Sequence, residues 1–101
     1  MVLRSWAGYA AVTAADAYPR HLLQTVRPKL AALEGFRGLY LLRHHGQQEV
    51  EFRVLTLWES MDSIRAFAGN QPDLAVVEPE AKATLLRYDH KVRHYEILAA
   101  P

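Results

Sequence analysis

The chain has 101 residues, half of them apolar, 10% aromatic and 23% charged, with 12 basic against 11 acidic side chains for a formal charge of +1, and it has no cysteine. A chain of this length buries roughly 60 to 68% of its unfolded surface and supports one hydrophobic core, so residues 1–101 read as a single domain. The interleaved charges form no basic face for nucleic acid, the missing cysteines exclude disulfide and thiolate chemistry, and no apolar run approaches the roughly 18 residues of a membrane span.

The N-terminal stretch MVLRSWAGYA is interrupted by Arg4 and too short for a secretory apolar region, so a soluble cytoplasmic protein is expected. From Val2 to Tyr9 the chain reads as a strand, with Val2, Arg4, Trp6 and Gly8 on one face and Leu3, Ser5, Ala7 and Tyr9 on the other. Thr13, three residues before Asp16, is a candidate helix cap. Tyr18, Leu22, Val26, Leu30 and Leu33 then fall on one helical stripe, while Arg20, Gln24, Arg27 and Lys29 lie mostly off it. Pro19 marks a first turn, Pro28 a kink, and Gly35 the expected stop.

Phe36 to His45 and Glu49 to Trp58 read as a hairpin around the turn GQQ, with apolar side chains on both parities, so both sheet faces need cover. Ser60 can cap a helix from Met61 to Ala68 with Asp62 in its first turn, and Gly69 ends it. The connection NQPDLAVVEP carries the apolar run Leu74 to Val77; Pro79 opens a further helix through Leu86, and a last strand runs from His90 to Leu98. Strand, helix, two strands, helices and strand make a βαββαβ order. Its economical solution is an α+β ferredoxin-like fold, a four-stranded antiparallel sheet with helices on one face. The other apolar face is then open, and a second copy related by two-fold symmetry is its simplest cover, which makes a homodimer the expected partner state.

Few side chains carry chemistry. Trp58 and Trp6 read either as core or as an aromatic wall for a flat ligand. Adjacent His44 and His45 point to opposite strand faces, and His90 and His94 lie four residues apart along a strand, about 13 Å, so neither pair holds one metal ion and no metal site is expected. His94, on the parity of Val92 and Leu98, is a candidate base or a hydrogen-bonded structural histidine. Arg4, Tyr18 and His21 are the polar groups best placed to border a cavity between sheet and first helix, where Gly8 leaves room; Arg4 and His21 also read as solvated and Tyr18 as packed. Arg53 is expected to pair with Glu51 or Glu49 across a dimer or at an edge. No glycine-rich phosphate loop, nucleophile elbow or zinc spacing is present.

The segments LEGFRGLYLL and VLTLWES followed by D.IRAF resemble those of the antibiotic biosynthesis monooxygenase superfamily, the dimeric α/β-barrel proteins, and the likeness runs from AADAY through DHKVRHYEI. The resemblance implies a ferredoxin-like protomer with a cavity between sheet and helices. Its members include cofactor-independent oxygenases of phenols, anthrones and quinols, haem-degrading enzymes, isomerases and proteins of unknown role, so the fold alone assigns no activity. The haem-degrading branch has a tryptophan in its second helix and, further on, an iron-ligating histidine; these positions fall near Phe67 and Val77, neither matches, and no histidine lies between His45 and His90.

The expectation is therefore a monooxygenase that needs no cofactor and uses dioxygen on a small aromatic, phenolic or quinol-like substrate. In it His94 or His21 takes a phenolic proton, Arg4 stabilises the anion, and Trp6, Tyr18, Leu22, Trp58 and Phe67 enclose the ring. The competing expectation is a non-catalytic small-molecule-binding or stress-related dimer of the same fold.

Overall fold

The computed structural model describes residues Met1–Pro101. Its elements are β1 (Val2–Ala11), a 3-10 turn (Val12–Ala14), α1 (Ala17–His21), a π-helical turn (Leu22–Val26), α2 (Arg27–Ala31), β2 (Phe36–His45), β3 (Glu49–Trp58), α3 (Met61–Ala68), α4 (Pro79–Thr84), β4 (Arg87–Tyr88) and β5 (Arg93–Glu96). All pairings are antiparallel, in the order β2-β3-β1, with β4 and β5 sharing the far edge of β1. The ferredoxin-like α+β arrangement is the one the element order predicts.

The sheet's inner face is set by parity. Val2, Arg4, Trp6, Gly8 and Ala10 of β1 lie opposite Trp58, Thr56, Val54, Phe52 and Val50 of β3, and the β3 set is buried throughout. Tyr18, Leu22 and Ala81 pack on Val50, Phe52 and Val54, whereas Leu30 and Ile64 pack on Trp58. Each large apolar side chain so buried contributes about 1.5 to 3 kcal/mol. No helix is long and apolar enough to cross a membrane.

Local chemistry departs from the sequence expectation at five points. Thr13 lies in the 3-10 turn and caps nothing; Asp16 takes the position before α1, without a side-chain cap bond. The segment before Pro28 does not simply kink but widens into a π turn, closed by Arg27 N–H donating to Leu22 C=O. The ring of Pro28 would strike the carbonyl four residues back, and a wider turn relieves that clash. The helix ends at Ala31, before Gly35, and Leu33 beyond it is exposed. Gly35 instead makes the turn into β2 at φ +85°, where a Cβ would lie 2.1 Å from Ser63 Oγ, while its carbonyl accepts from Glu59 N–H at 2.8 Å. Only glycine fits there.

The two remaining departures concern the last elements. α4 stops at Thr84 instead of reaching Leu86, and Thr84 Oγ1 donates to Ala81 C=O at 2.8 Å. The final strand is shorter than expected, because residues 90–92 leave the edge of β1 to pair with the connection after α3. Ala75 N–H donates to His90 C=O at 2.9 Å and Val92 N–H to Asp73 C=O at 2.8 Å, and Trp6 Nε1 donates to Asp89 C=O at 2.8 Å. α3 follows expectation: Ser60 Oγ accepts from Ser63 N–H at 3.3 Å, and Gly69 closes the helix.

Candidate functional site

Between the inner sheet face and the helices lies a partly open cavity with about 100 Å³ of enclosed space. Its floor comes from Arg4, Trp6, Val54 and Thr56, one side from Tyr18, His21, Leu22, Val26 and Leu30, and the other from Phe67, Val76 to Glu78, Ala81 and Val92. The stripe Tyr18, Leu22, Val26, Leu30 reaches it whole. In a regular α-helix each step of four residues advances about 40° around the axis, so three steps would turn Leu30 well away from Tyr18. The π turn at Leu22–Val26 takes back part of that drift and keeps all four on the cavity side.

Arg4 is buried at the cavity edge and its guanidinium is heavily engaged. It donates to the carbonyls of Pro72 and of Leu74 (2.8 Å), and its Nη1 lies 2.9 Å from His94 Nε2, while its Cζ lies over the Phe67 ring, 5.7 Å from the ring centre. Burial lowers its pKa against the opposing pull of Asp73. Arginine has no acceptor, so His94 Nε2 accepts, which leaves the proton of a neutral ring on Nδ1, 3.4 Å from Asp73 Oδ1. Burial first and the guanidinium second hold His94 below the ordinary imidazole range, with Asp73 opposing. Arg4, His94 and Asp73 thus clamp the connection after α3 onto the sheet.

This geometry redistributes the expected site. Arg4, Trp6, Tyr18, His21, Leu22 and Phe67 meet at the cavity. Trp58 does not: its indole is fully buried, donates to Thr56 Oγ1 at 2.8 Å and stacks on Phe67 at 5.4 Å, so it stands behind the wall as core. His94 does not line the cavity either, and its Nε2 lone pair is occupied by Arg4. The room left by Gly8 is filled, since a Cβ there would lie 2.8 Å from the Trp6 ring and 2.9 Å from Leu85. The Tyr18 phenol is raised well above its usual range by burial and stays neutral. His44 and His45 are exposed at the β2 end. Arg53 pairs with Glu51 and with Ser5 Oγ (3.1 Å) within the chain, on the outer sheet face.

Two polar groups at the cavity were missed. Thr56 was legible as the one polar member of the buried parity of β3. Glu78 was not, because it lies at the end of a connection without periodicity. His21 Nε2 is buried without a hydrogen-bond partner in the protein and stands 3.6 Å from Glu78 Oε2; Lys29 Nζ holds the other carboxylate oxygen at 3.2 Å.

An antiparallel βαββαβ sheet covered by helices on one face, with a small apolar cavity beneath them, defines the ferredoxin-like class of α/β-barrel protomers. Within that class the chain belongs to the antibiotic biosynthesis monooxygenase family, whose sequence pattern matches residues 10–84. Solved structures share the fold at low identity. A Bacillus cereus protein assigned to antibiotic biosynthesis monooxygenase aligns at 17% identity and TM-score 0.62, covering 99% of this chain and 93% of that one. A variant of MhuD with two manganese protoporphyrin IX molecules per active site aligns at 19% identity and TM-score 0.64, covering 100% and 98%. The haem degrader MhuD of Mycobacterium tuberculosis with two haems in its active site aligns at 22% and 0.55, covering 100% and 99%. No curated protein matches the chain.

The iron-binding positions of the haem-degrading pattern are not reproduced in this cavity. Phe67 and Val77 line it at the positions where the haem-degrading pattern places tryptophan and the iron ligand, and neither offers an iron donor.

Proposed function

We propose that this protein binds a small aromatic, phenolic or quinol-like molecule in the cavity and oxidises it with dioxygen without a cofactor. The supporting observation is a cavity lined mainly by apolar and aromatic side chains in which one buried imidazole, His21, has no partner in the protein. The ring lies against Leu22, Val54 and Phe67 under the edge of Trp6, with its hydroxyl at His21. The substrate gives up its hydroxyl proton at that end of the cavity and supplies the electrons; one oxygen atom enters the ring system and the other leaves as water with the hydrogens the substrate loses. The protein contributes desolvation and the deprotonating end of the cavity. His94 acts through Arg4 as part of the clamp, and Arg4 presents to the cavity only the N–H groups its carbonyl and imidazole partners leave free.

The enclosed space is small, and this favours a second reading in which a single-ring ligand is bound and not transformed. Either way the working unit is a homodimer, because the outer sheet face carries Leu3, Tyr40, Leu42, Leu55, Leu57 and Tyr95, with Tyr40, Leu42 and Tyr95 exposed in the single chain. Oxygen uptake across a panel of quinols and anthrones decides between the two. Uptake with a subset of the panel, reduced at least about tenfold in His21→Ala and less in His94→Ala, is expected of the oxygenase. Saturable binding with no uptake leaves the binding protein.

A further inference from the structure

His21 and Glu78 come from α1 and from the residue preceding α4, and they meet at the cavity rim. Their separation, 3.6 Å between Nε2 and Oε2, is too long for a hydrogen bond and too short to be indifferent. Lys29 engages Oε1 and leaves Oε2 as the oxygen turned to the imidazole. A carboxylate beside Nε2 favours the tautomer that carries its proton there. One oxygen atom at about 2.8 Å from both atoms satisfies the pair, accepting from Nε2–H and donating to Oε2, and a hydroxyl has both capacities. The Glu78 side chain is 29% exposed against 10% for His21, so the carboxylate is the member that yields as such a group enters.

We propose that Glu78 is a catalytic residue of this site, the acceptor of the ligand's hydroxyl proton, while His21 Nε2–H holds the hydroxyl oxygen. This rests on the reading of the cavity as a phenol site. In the transfer the ligand O–H bond breaks and an Oε2–H bond forms; the electron pair stays on the ligand oxygen and is stabilised by the Nε2–H donor. Lys29 is a positioning residue, holding the carboxylate from its solvent side.

Phenol and its methyl ether, anisole, separate the two roles. Both can accept from His21, but only phenol can donate to Glu78. Binding of each is measured by amide chemical-shift titration of the wild type, Glu78→Gln, Glu78→Ala and His21→Ala. The wild type is expected to prefer phenol by about tenfold or more, the scale of a hydrogen bond to a charged group. Glu78→Ala loses that preference while keeping anisole affinity, Glu78→Gln, whose neutral amide oxygen still accepts, keeps only a small part of it, and His21→Ala weakens both probes. Equal wild-type affinities overturn the assignment of Glu78 and leave the aromatic cavity standing. Equal loss of both probes in the Glu78 variants reduces Glu78 to packing and also overturns it. Failure of both probes to bind the wild type overturns the cavity reading itself, and this proposal with it.

Discussion

Trp6 is held by what surrounds it: its Nε1 donates to Asp89 C=O, its ring lies 5.8 Å from that of Tyr18, and Gly8 makes the space beneath it. Gly8→Ala is predicted to destabilise the fold by about 1 to 3 kcal/mol through overpacking, read by urea unfolding with tryptophan fluorescence. Arg4→Met keeps much of the side-chain bulk but frees two carbonyls and one imidazole. A loss of at least about 2 kcal/mol is expected, with faster hydrogen exchange at the amides of Ala75 and Val92, which seat the clamped connection. The folded pKa of His94 lies below the ordinary value of 6.5, so as pH falls the unfolded chain binds this proton first. Its contribution to stability is complete above about pH 6.5 and declines through the window below it. Denaturation from pH 8 to pH 5 in the wild type and in His94→Asn tests this, with a shallower decline in the variant. Arg4 and Trp6 were legible because strand parity points them inward, and His21 because it stands among the polar groups at the start of the first helix. Their partners were not, since Pro72, Leu74 and Asp89 act through backbone carbonyls that no residue letter announces.

At the scale of elements, the first helix shows how a local defect serves the site. Pro28 widens the turn before it, and the widened turn aligns Tyr18, Leu22, Val26 and Leu30 along one wall. Pro28→Ala removes the steric cause and supplies the missing N–H. It is predicted to let the turn close toward α geometry, to raise stability by up to about 3 kcal/mol, and to weaken aromatic binding as the wall rotates. A stability gain with unchanged affinity would separate the π turn from the site. The proline gave a sequence signal of disturbance but not of its form, because kink and π turn answer the same clash. The last strand was misplaced for another reason. Its alternation reads as continuous, but residues 90–92 are drawn to the connection at 73–75, a pairing between segments that show no shared period.

For the whole molecule, parity carried the argument furthest. The buried set Val50, Phe52, Val54, Thr56 and Trp58 and the less buried set Glu49, Glu51, Arg53, Leu55 and Leu57 follow from alternation along β3, and so does the fold order. The cavity does not follow, because its far wall belongs to the connection after α3 and its volume depends on how Arg4 anchors that segment. The dimer proposed for the outer face gives a direct prediction. Leu42→Glu, opposite Arg53 and exposed in the single chain, is expected to shift sedimentation at micromolar concentration from dimer to monomer, against an unchanged dimer for Val12→Glu outside that face. The central claim, an aromatic guest held between sheet and helices, is tested most directly by intermolecular nuclear Overhauser effects from a saturating phenol to methyl-labelled protein. The account predicts contacts to Leu22, Val54 and Val77 and none to Leu42 or Leu55. Contacts confined to the outer-face leucines, or saturation without any contact to the cavity methyls, would contradict it.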